Sequence, residues 1–155
     1  MMKYYILCFL MVLISCKINR YEQLPNHQKK KTGRWIEKDD YPQQTFLSIG
    51  RYKKGEKKGV WKTYRNGKLY QKDVIKDSVT TTTLYQENGK RQEKGQTKRI
   101  SKPGSVHWFY FGDWIYYDEK GNPSYIKTYD KDKSTDSVGY KKRIQKSLNP
   151  FKKSS

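Results

Sequence analysis

The sequence contains no alanine in its 155 residues. Alanine has the highest intrinsic helix propensity, and residues that favour strands, above all tyrosine and threonine, are common in its place. This composition argues against a helical bundle and makes β structure the expectation. A disordered chain is opposed as well, because aromatic residues make up 15% of the sequence and disordered segments contain few of them. The length allows one domain.

Signatures of catalysis are missing too. The sequence has no Walker loop, dinucleotide fingerprint, Gly-x-Ser-x-Gly elbow or spaced set of metal ligands. His27 lies in a polar stretch, and His107 lies in an apolar one, where a packed histidine is more common than a catalytic base. The paired carboxylates Asp39-Asp40 and Asp118-Glu119 fall in expected turns. We therefore expect a protein that is not an enzyme and uses no cofactor or metal.

Acidic residues are few, since 15 Asp and Glu stand against 34 Lys and Arg, for a net charge of +19. The excess is regional. Residues 50–75 carry nine basic and two acidic side chains and residues 131–155 carry eight and two, whereas residues 101–130 carry three and four. Such a field attracts phosphate-rich polyanions, including lipid headgroups, lipopolysaccharide and nucleic acid. The candidate polyanion-binding residues are Arg51, Lys53, Lys54, Lys57 and Lys58.

A long hydrophobic run occurs only at the N-terminus, where Lys3 precedes the eleven apolar residues 4–14. At 1.5 Å per residue this run makes about 16 Å of helix, against a hydrocarbon core of roughly 30 Å, so it has the size of a signal peptide and not of a membrane span. The sequence Leu13-Ile14-Ser15-Cys16 resembles the lipobox of bacterial lipoproteins. The resemblance implies a signal peptide over residues 1–15, a lipid on Cys16, and a membrane-anchored location in the cell envelope, outside the cytoplasm.

Cysteine is scarce, with Cys8 and Cys16 alone in the chain. Cleavage before Cys16 would remove Cys8, and the lipid would consume the remaining thiol, so no disulfide is expected. Residues 16–32 are polar and show no strand or helix period, and we expect them to form a flexible tether. The alternative is that Tyr21 and Leu24 pack on the domain as a first edge.

A pattern of glycine and tryptophan recurs after the tether. It begins at Gly33-Arg34-Trp35, Gly59-Val60-Trp61 and Gly112-Asp113-Trp114, with separations of 26 and 53 residues. Because 53 is about twice 26, a degenerate unit is expected between the last two. Residues 82–90 supply it, so four repeats fit the chain.

Each repeat is predicted to be a strand, a tight turn and a returning strand. Asn66-Gly67 and Asn88-Gly89 accept positive φ at low cost and so close hairpins, and Lys120-Gly121 is a weaker version. A lone hairpin is marginal in water, so several must pair side by side. The expected fold is all-β, an elongated antiparallel meander of repeated hairpins over residues 33–130.

The unit Gly59-Val60-Trp61-Lys62-Thr63-Tyr64-Arg65-Asn66-Gly67-Lys68-Leu69 resembles the repeat of the MORN-repeat-variant family, and residues 112–122 match it more loosely. The resemblance covers roughly residues 31–130 and implies a MORN-like hairpin fold. Some members of the family are called YwqK-type antitoxins, and many are lipoproteins without known activity. An antitoxin-like immunity role is therefore one alternative, limited by the lipobox to a toxin met in the envelope.

The leading functional expectation is a non-catalytic protein-interaction or scaffold module whose partner is another envelope protein. Residues 108–117 place aromatics on both faces of a strand, so they either pack on both sides or expose a ledge. The candidate partner-binding residues are Trp61, Tyr64, Trp108, Trp114 and Tyr117. The alternative is a module that binds a polyanion or envelope glycan. Nucleic acid is not expected, because exported proteins rarely meet it.

The last segment, residues 131–155, loses the repeat and is strongly basic. We expect it to be a disordered basic tail. The alternative is a short amphipathic helix over residues 138–148. In either form, a basic segment would be attracted to anionic lipid.

Overall fold

A computed structural model describes residues 17–148, which form a single antiparallel sheet of ten strands in sequential order. The strands are β1 (Arg20–Gln23), β2 (Lys29–Tyr41), β3 (Gln44–Lys53), β4 (Glu56–Arg65), β5 (Lys68–Lys76), β6 (Val79–Tyr85), β7 (Arg91–Lys102), β8 (Ser105–Tyr117), β9 (Pro123–Asp130) and β10 (Lys133–Gly139). A single helix, α1 (Tyr140–Leu148), follows them among the described residues. The predicted all-β meander of hairpins is confirmed.

The predicted turns lie at one end of this sheet. Asn66 and Gly67 have φ values of 49° and 80°, the signs that a two-residue type I′ hairpin turn requires. The other two predicted turns are longer loops of one shape. In the loop 86–90 the Gly89 N–H donates to the Gln86 carbonyl over 2.9 Å, and in the loop 118–122 the Gly121 N–H donates to the Asp118 carbonyl over 2.9 Å.

The repeated glycine marks a backbone irregularity in the strand. Gly33, Gly59 and Gly112 all have positive φ, at 74°, 68° and 68°. Opposite Gly59 the register of β3 and β4 shifts, and opposite Gly112 the register of β7 and β8 shifts. Such bulges bend a strand and increase its twist. The glycine of the repeat is therefore a device for curving the sheet.

Three repeated tryptophans, together with Phe109 and Ile126, form the buried hydrophobic core. Trp35, Trp61 and Trp114 are 5%, 3% and 4% exposed. The register and ring contacts put all three on one face of the sheet, which we call the tryptophan face. Successive side chains of a strand point to alternate faces of the sheet. The residues that alternate with those of the tryptophan face along each strand therefore lie on the opposite face.

The tryptophan face is concave. The Arg99 Nη2 atom on β7 reaches the Glu56 Oε1 atom at the start of β4 over 2.9 Å, although β5 and β6 lie between these strands. Neighbouring strands are about 4.8 Å apart, so a flat sheet would separate β4 from β7 by about 14 Å. A single cavity on this side is lined by residues from every strand from β3 to β8, so the sheet curls round this side and the opposite face is convex.

Residues 20–32 form a hairpin that includes the start of β2, which corrects the expectation of a flexible tether over residues 16–32. Residues from Arg20 to Gln23 form β1 and pair with residues from Lys29 to Thr32. The Tyr21 ring contacts the Trp35 ring edge-on, with centroids 5.1 Å apart, and thereby covers the first tryptophan. The alternative of a first edge strand describes this segment.

Asn19 extends the pairing at the open end of the β1–β2 hairpin. Its side chain both accepts from the Ile36 N–H over 2.8 Å and donates to the Ile36 carbonyl over 3.0 Å, as a paired strand would. The predicted signal peptide, residues 1–15, and Cys16 lie outside the described residues.

The expectation of a disordered tail over residues 131–155 is also corrected. Residues from Lys133 to Gly139 form β10, which pairs with β9, and the alternative helix is present as α1. α1 lies against β9 and β10, and its Arg143 guanidinium bonds to Asp136 on β10 over 3.2 Å and reaches Asp113 on β8 over 3.4 Å. Residues 149–155 lie outside the described part of the chain.

Candidate functional site

A cavity of about 430 Å³ lies in the middle of the concave face. It is lined by side chains from each strand between β3 and β8, with Tyr52 and Lys57 on one side and Arg99 and Trp108 on the other. The cavity exists because the bulges curl the sheet round this face. We call it the concave cleft.

One wall of the concave cleft is built round Glu37. The Glu37 carboxylate accepts from Lys31 over 2.6 Å and from the Tyr52 hydroxyl over 2.9 Å, and it pairs with Lys57 over 2.9 Å. The two lysines also lie over tryptophan rings, Lys31 at 4.5 Å from the Trp35 centroid and Lys57 at 4.1 Å from that of Trp61. This arrangement joins the first two repeats.

The electrostatics of this wall follow from its contacts. Partial burial raises the pKa of the Glu37 carboxyl, but the hydrogen bonds from Lys31, Lys57 and Tyr52 outweigh it and hold that pKa at about 2. Burial, together with the hydrogen bond to Glu37, raises the pKa of the Tyr52 hydroxyl. Glu37 is therefore an ionised structural group and not a proton donor near neutral pH.

The floor of the concave cleft is polar. The Asp73 carboxylate accepts from Gln71 and from the Thr82 hydroxyl, each over 2.7 Å. Thr80 beside them is 8% exposed. These groups satisfy one another, so the floor is a preformed hydrogen-bonding surface.

The far wall carries exposed aromatic area. Trp108 is 51% exposed and Tyr110, next along the same face of β8, is 45% exposed. The Arg99 guanidinium lies 5.7 Å from the Trp108 ring centroid and is held by Glu56. Tryptophan, tyrosine and arginine are the residues most enriched at the energetic centres of protein interfaces. This corner has the composition of a docking site.

Tyrosines continue the concave face beyond Tyr110. Tyr116 stacks on Tyr125 with centroids 4.6 Å apart, and its hydroxyl lies 3.3 Å from that of Tyr129. Burial raises the pKa of the neighbouring Glu93 carboxyl and that of the Tyr116 hydroxyl. The cluster is a packed wall that supports the exposed rings.

The structure divides the predicted partner-binding residues. Trp61 and Trp114 are core residues with almost no exposed surface, which corrects the prediction that they bind a partner. Tyr64 and Tyr117 are half-buried and belong to the convex face. Of the five, Trp108 alone offers a large exposed ring on the concave cleft.

The predicted polyanion-binding residues are divided as well. Lys57 pairs with Glu37, and Lys58 lies 3.7 Å from Glu56, so both have carboxylate partners. Arg51 is exposed on the convex face, and Lys53 and Lys54 are exposed at the β3–β4 turn. Lys53, Lys54 and Lys58 line one shallow depression and Arg51 is the register partner of Lys58, whereas Lys57 lies on the concave face.

Sequence reasoning missed the residues that shape the concave cleft, namely Glu37, Glu56, Asp73, Arg99 and Tyr110. Alternation along β8 could have placed Tyr110 with Trp108. The pair Arg99 and Glu56 carried no signal, because it depends on the curvature.

The other chemical candidates are isolated. His107 is 72% exposed at its side chain, stacks on Phe109 and lies 3.9 Å from Asp132. Within residues 17–148 there is no group of three potential metal-ligating His, Cys, Asp or Glu side chains, and no helix there has the length and apolarity to cross a membrane. Comparisons with models of protein families, with curated proteins and with solved structures give no match to this chain.

Proposed function

We propose that this protein is a lipid-anchored envelope protein without catalytic activity, which binds another envelope protein through the concave cleft. The lipobox-like sequence that ends at Cys16 supports the anchor, and the MORN-like repeat supports a scaffold role. The observation that carries the binding role is the exposed pair Trp108 and Tyr110 beside Arg99.

The free energy of binding should come mainly from the corner formed by Trp108, Tyr110 and Arg99. A tryptophan that is half exposed in the free protein has a large apolar area left to bury, at roughly 25 cal/mol per Å². Arg99 is already held in place by Glu56, so little of its side-chain freedom would be lost on binding. The polar floor round Asp73 then orients the bound partner through hydrogen bonds.

Site-specific photo-crosslinking tests the binding role. A crosslinking residue placed at Trp108, in cells that make the lipidated protein, should give one discrete adduct. The same residue at Tyr41, which is 58% exposed at the far end of β2, is the matched control and should give none. An Arg99→Gln change should weaken a Trp108 adduct. Equal crosslinking from both positions would refute a binding site in the concave cleft.

The anchor is tested separately. Cys16→Ser removes the thiol that the lipid requires, and it should move the protein from the membrane fraction to the soluble fraction. Mass spectrometry of the wild-type membrane fraction should find a lipid-modified Cys16 at the new amino terminus. Unchanged partitioning of the variant would reject lipid anchoring while leaving the binding role open.

A further inference from the structure

The convex face carries like charges that the strand register sets side by side. Arg34 on β2 is the direct partner of Arg51 on β3, and Arg51 is the direct partner of Lys58 on β4. Lys62 on β4 is the direct partner of Lys72 on β5. Side chains of directly paired residues lie on the same face, and like charges in such pairs are destabilising.

Of these basic residues, Lys58 has a carboxylate near it, Glu56 at 3.7 Å. The other four, Arg34, Arg51, Lys62 and Lys72, have no ion-pair partner within residues 17–148. The basic residues of the concave face differ, since Lys31, Lys57 and Arg99 each meet a glutamate. The two faces therefore separate their charges, with compensated charge inside the curve and uncompensated positive charge outside it.

The basic surface spans β2 to β7, with basic residues on five of these six strands. Lys76 on β5 and Lys94 and Lys98 on β7 belong to the same face by register, and all three are exposed. Val60 and Val74, directly paired and 48% and 40% exposed, fill the middle of it. We call this surface, from β2 to β7, the convex basic face. Folding alone does not explain it, because the repulsion opposes folding.

We propose that the convex basic face binds a linear anionic polysaccharide. The register partners Arg34, Arg51 and Lys58 lie on adjacent strands, as do Lys62 and Lys72, so their backbones step by roughly 4.8 Å. β6 contributes Thr83 and Val79 to these rows, so the step from β5 to Lys94 and Lys98 on β7 is twice as long. The shorter step is comparable with the length of one sugar unit in an extended glycan, so a chain laid across the strands presents one anionic group to each basic residue. Arginine and lysine bind carboxylate and sulfate through charge-assisted hydrogen bonds.

Single-stranded nucleic acid fits this face less well. Proteins that bind it stack bases on exposed aromatic rings. The exposed large apolar side chains of the convex basic face are the aliphatic Val60, Val74 and Ile100, whereas the exposed rings Trp108 and Tyr110 lie on the concave side. The Tyr64 ring on this face is half-buried, so the face offers charge in rows with little exposed ring surface for stacking, which favours an anionic glycan.

Binding of dextran sulfate to the full chain in a neutral detergent tests this proposal, with neutral dextran as the control probe. The test variant combines Arg34→Gln, Arg51→Gln, Lys62→Gln and Lys72→Gln. The matched variant also removes four charges, from exposed positions off this face: Lys68→Gln, Lys90→Gln, Lys120→Gln and Lys131→Gln. Wild-type protein should bind dextran sulfate and not neutral dextran.

The test variant should lose affinity tenfold or more, and the matched variant should stay near wild type. The slope of log affinity against log salt should fall in magnitude by about 3 for the four lost contacts, by analogy with nucleic acid polyanions. Trp108→Ala should leave this binding unchanged, which distinguishes it from the protein-binding role of the concave cleft. The double variant Lys62→Gln with Lys72→Gln should show a smaller loss of affinity in the same direction.

Three results would overturn the proposal. The first is an equal loss in the test and matched variants, which would show that net charge alone attracts the probe. The second is tighter binding to vesicles of anionic and neutral phospholipid than to dextran sulfate at the same salt. The third is tighter binding to single-stranded DNA. Circular dichroism of the test variant should match wild type, since removing like-charge neighbours relieves repulsion.

Discussion

The indole ring of Trp61 lies against Gly50 on the neighbouring strand, so closely that a Cβ atom at Gly50 would collide with the ring. The Trp61 Nε1–H donates to the carbonyl of Arg51, the next residue, over 3.2 Å. Trp114 repeats this arrangement with Gly95 as the covered glycine and the Gln96 carbonyl as acceptor, over 3.1 Å. A glycine on the preceding strand therefore accompanies the tryptophan in these two repeats.

This contact predicts that Gly50→Ala and Gly95→Ala each lower the free energy of unfolding. The added methyl group has to displace an indole ring that is itself fixed by a hydrogen bond, and forced overpacking of this kind typically costs 1–3 kcal/mol. We expect about 2 kcal/mol for each variant, measured by urea denaturation of the folded domain followed by tryptophan fluorescence.

Gly139→Ala is the matched control. A Cβ atom there meets nothing within 4 Å, and the residue does not need positive φ. It should change the free energy of unfolding by less than about 0.5 kcal/mol. Stability of Gly95→Ala equal to that of Gly139→Ala would contradict the close contact with Trp114.

The tryptophans should fall into two classes. Trp61→Ala and Trp114→Ala remove buried rings and leave cavities, so each should lower the free energy of unfolding by about 3–5 kcal/mol. Trp108→Ala removes a ring that is 51% exposed, together with a cation–π contact worth about 0.5–1 kcal/mol, so it should cost less than either buried tryptophan, about 1–2 kcal/mol. Thermal denaturation followed by circular dichroism measures all three.

The order of these losses decides the role of each residue. If Trp114→Ala were as stable as wild type, Trp114 would not be a core residue and the tryptophan face would need revision. If Trp108→Ala unfolded the protein, Trp108 would be a core residue and the assignment of its ring to partner binding would be wrong.

The sequence predicted the hairpins well, for a local reason. The dipeptide Asn66-Gly67 is sufficient to predict a turn, because few other dipeptides accept positive φ at both positions. The glycine of each Gly-x-Trp unit was recognised as a repeat, but its function as a bulge was not, since a register shift depends on the partner strand. The faces were missed for the same reason, and with them the burial of Trp61 and Trp114.

The ends of the domain were mispredicted because their strands are polar. β1 has four exposed residues, and β10 reads Lys-Ser-Thr-Asp-Ser-Val-Gly, without a clear apolar row. Edge strands of this kind are held by a neighbour that already exists, not by their own pattern. Composition alone makes them resemble linkers.

Stability should depend on pH through Glu37. Its pKa in the folded state, about 2, lies below the unfolded value of 4.5, so its contribution is present above about pH 4.5 and is lost as the pH falls towards 2. A shift of this size corresponds to an upper bound of about 3 kcal/mol. Urea midpoints measured between pH 5 and pH 2 should fall for the wild type.

Glu37→Gln should flatten this part of the pH profile, since glutamine does not titrate, and it should be less stable than wild type at pH 7. Glu119→Gln, in the exposed 118–122 loop, is the control and should keep the wild-type slope. An unchanged slope in Glu37→Gln would place the acid sensitivity at other carboxylates.

The first hairpin should be required for the stability of the repeats. A fragment that begins at residue 33, where the Gly-x-Trp pattern starts, lacks β1 and the part of β2 that pairs with it. It also lacks Tyr21, which covers Trp35, and Lys31, which binds Glu37. We therefore expect the fragment 33–148 to melt well below the fragment 17–148.

Tyr21→Ala isolates one contribution to this difference, since an aromatic pair is worth about 0.5–1.5 kcal/mol beyond its buried area. Tyr41→Ala, at the other end of β2, removes a tyrosine that is more exposed and should cost less. Equal melting temperatures for the two fragments would mean that residues 17–32 are dispensable, and the original boundary at residue 33 would then stand.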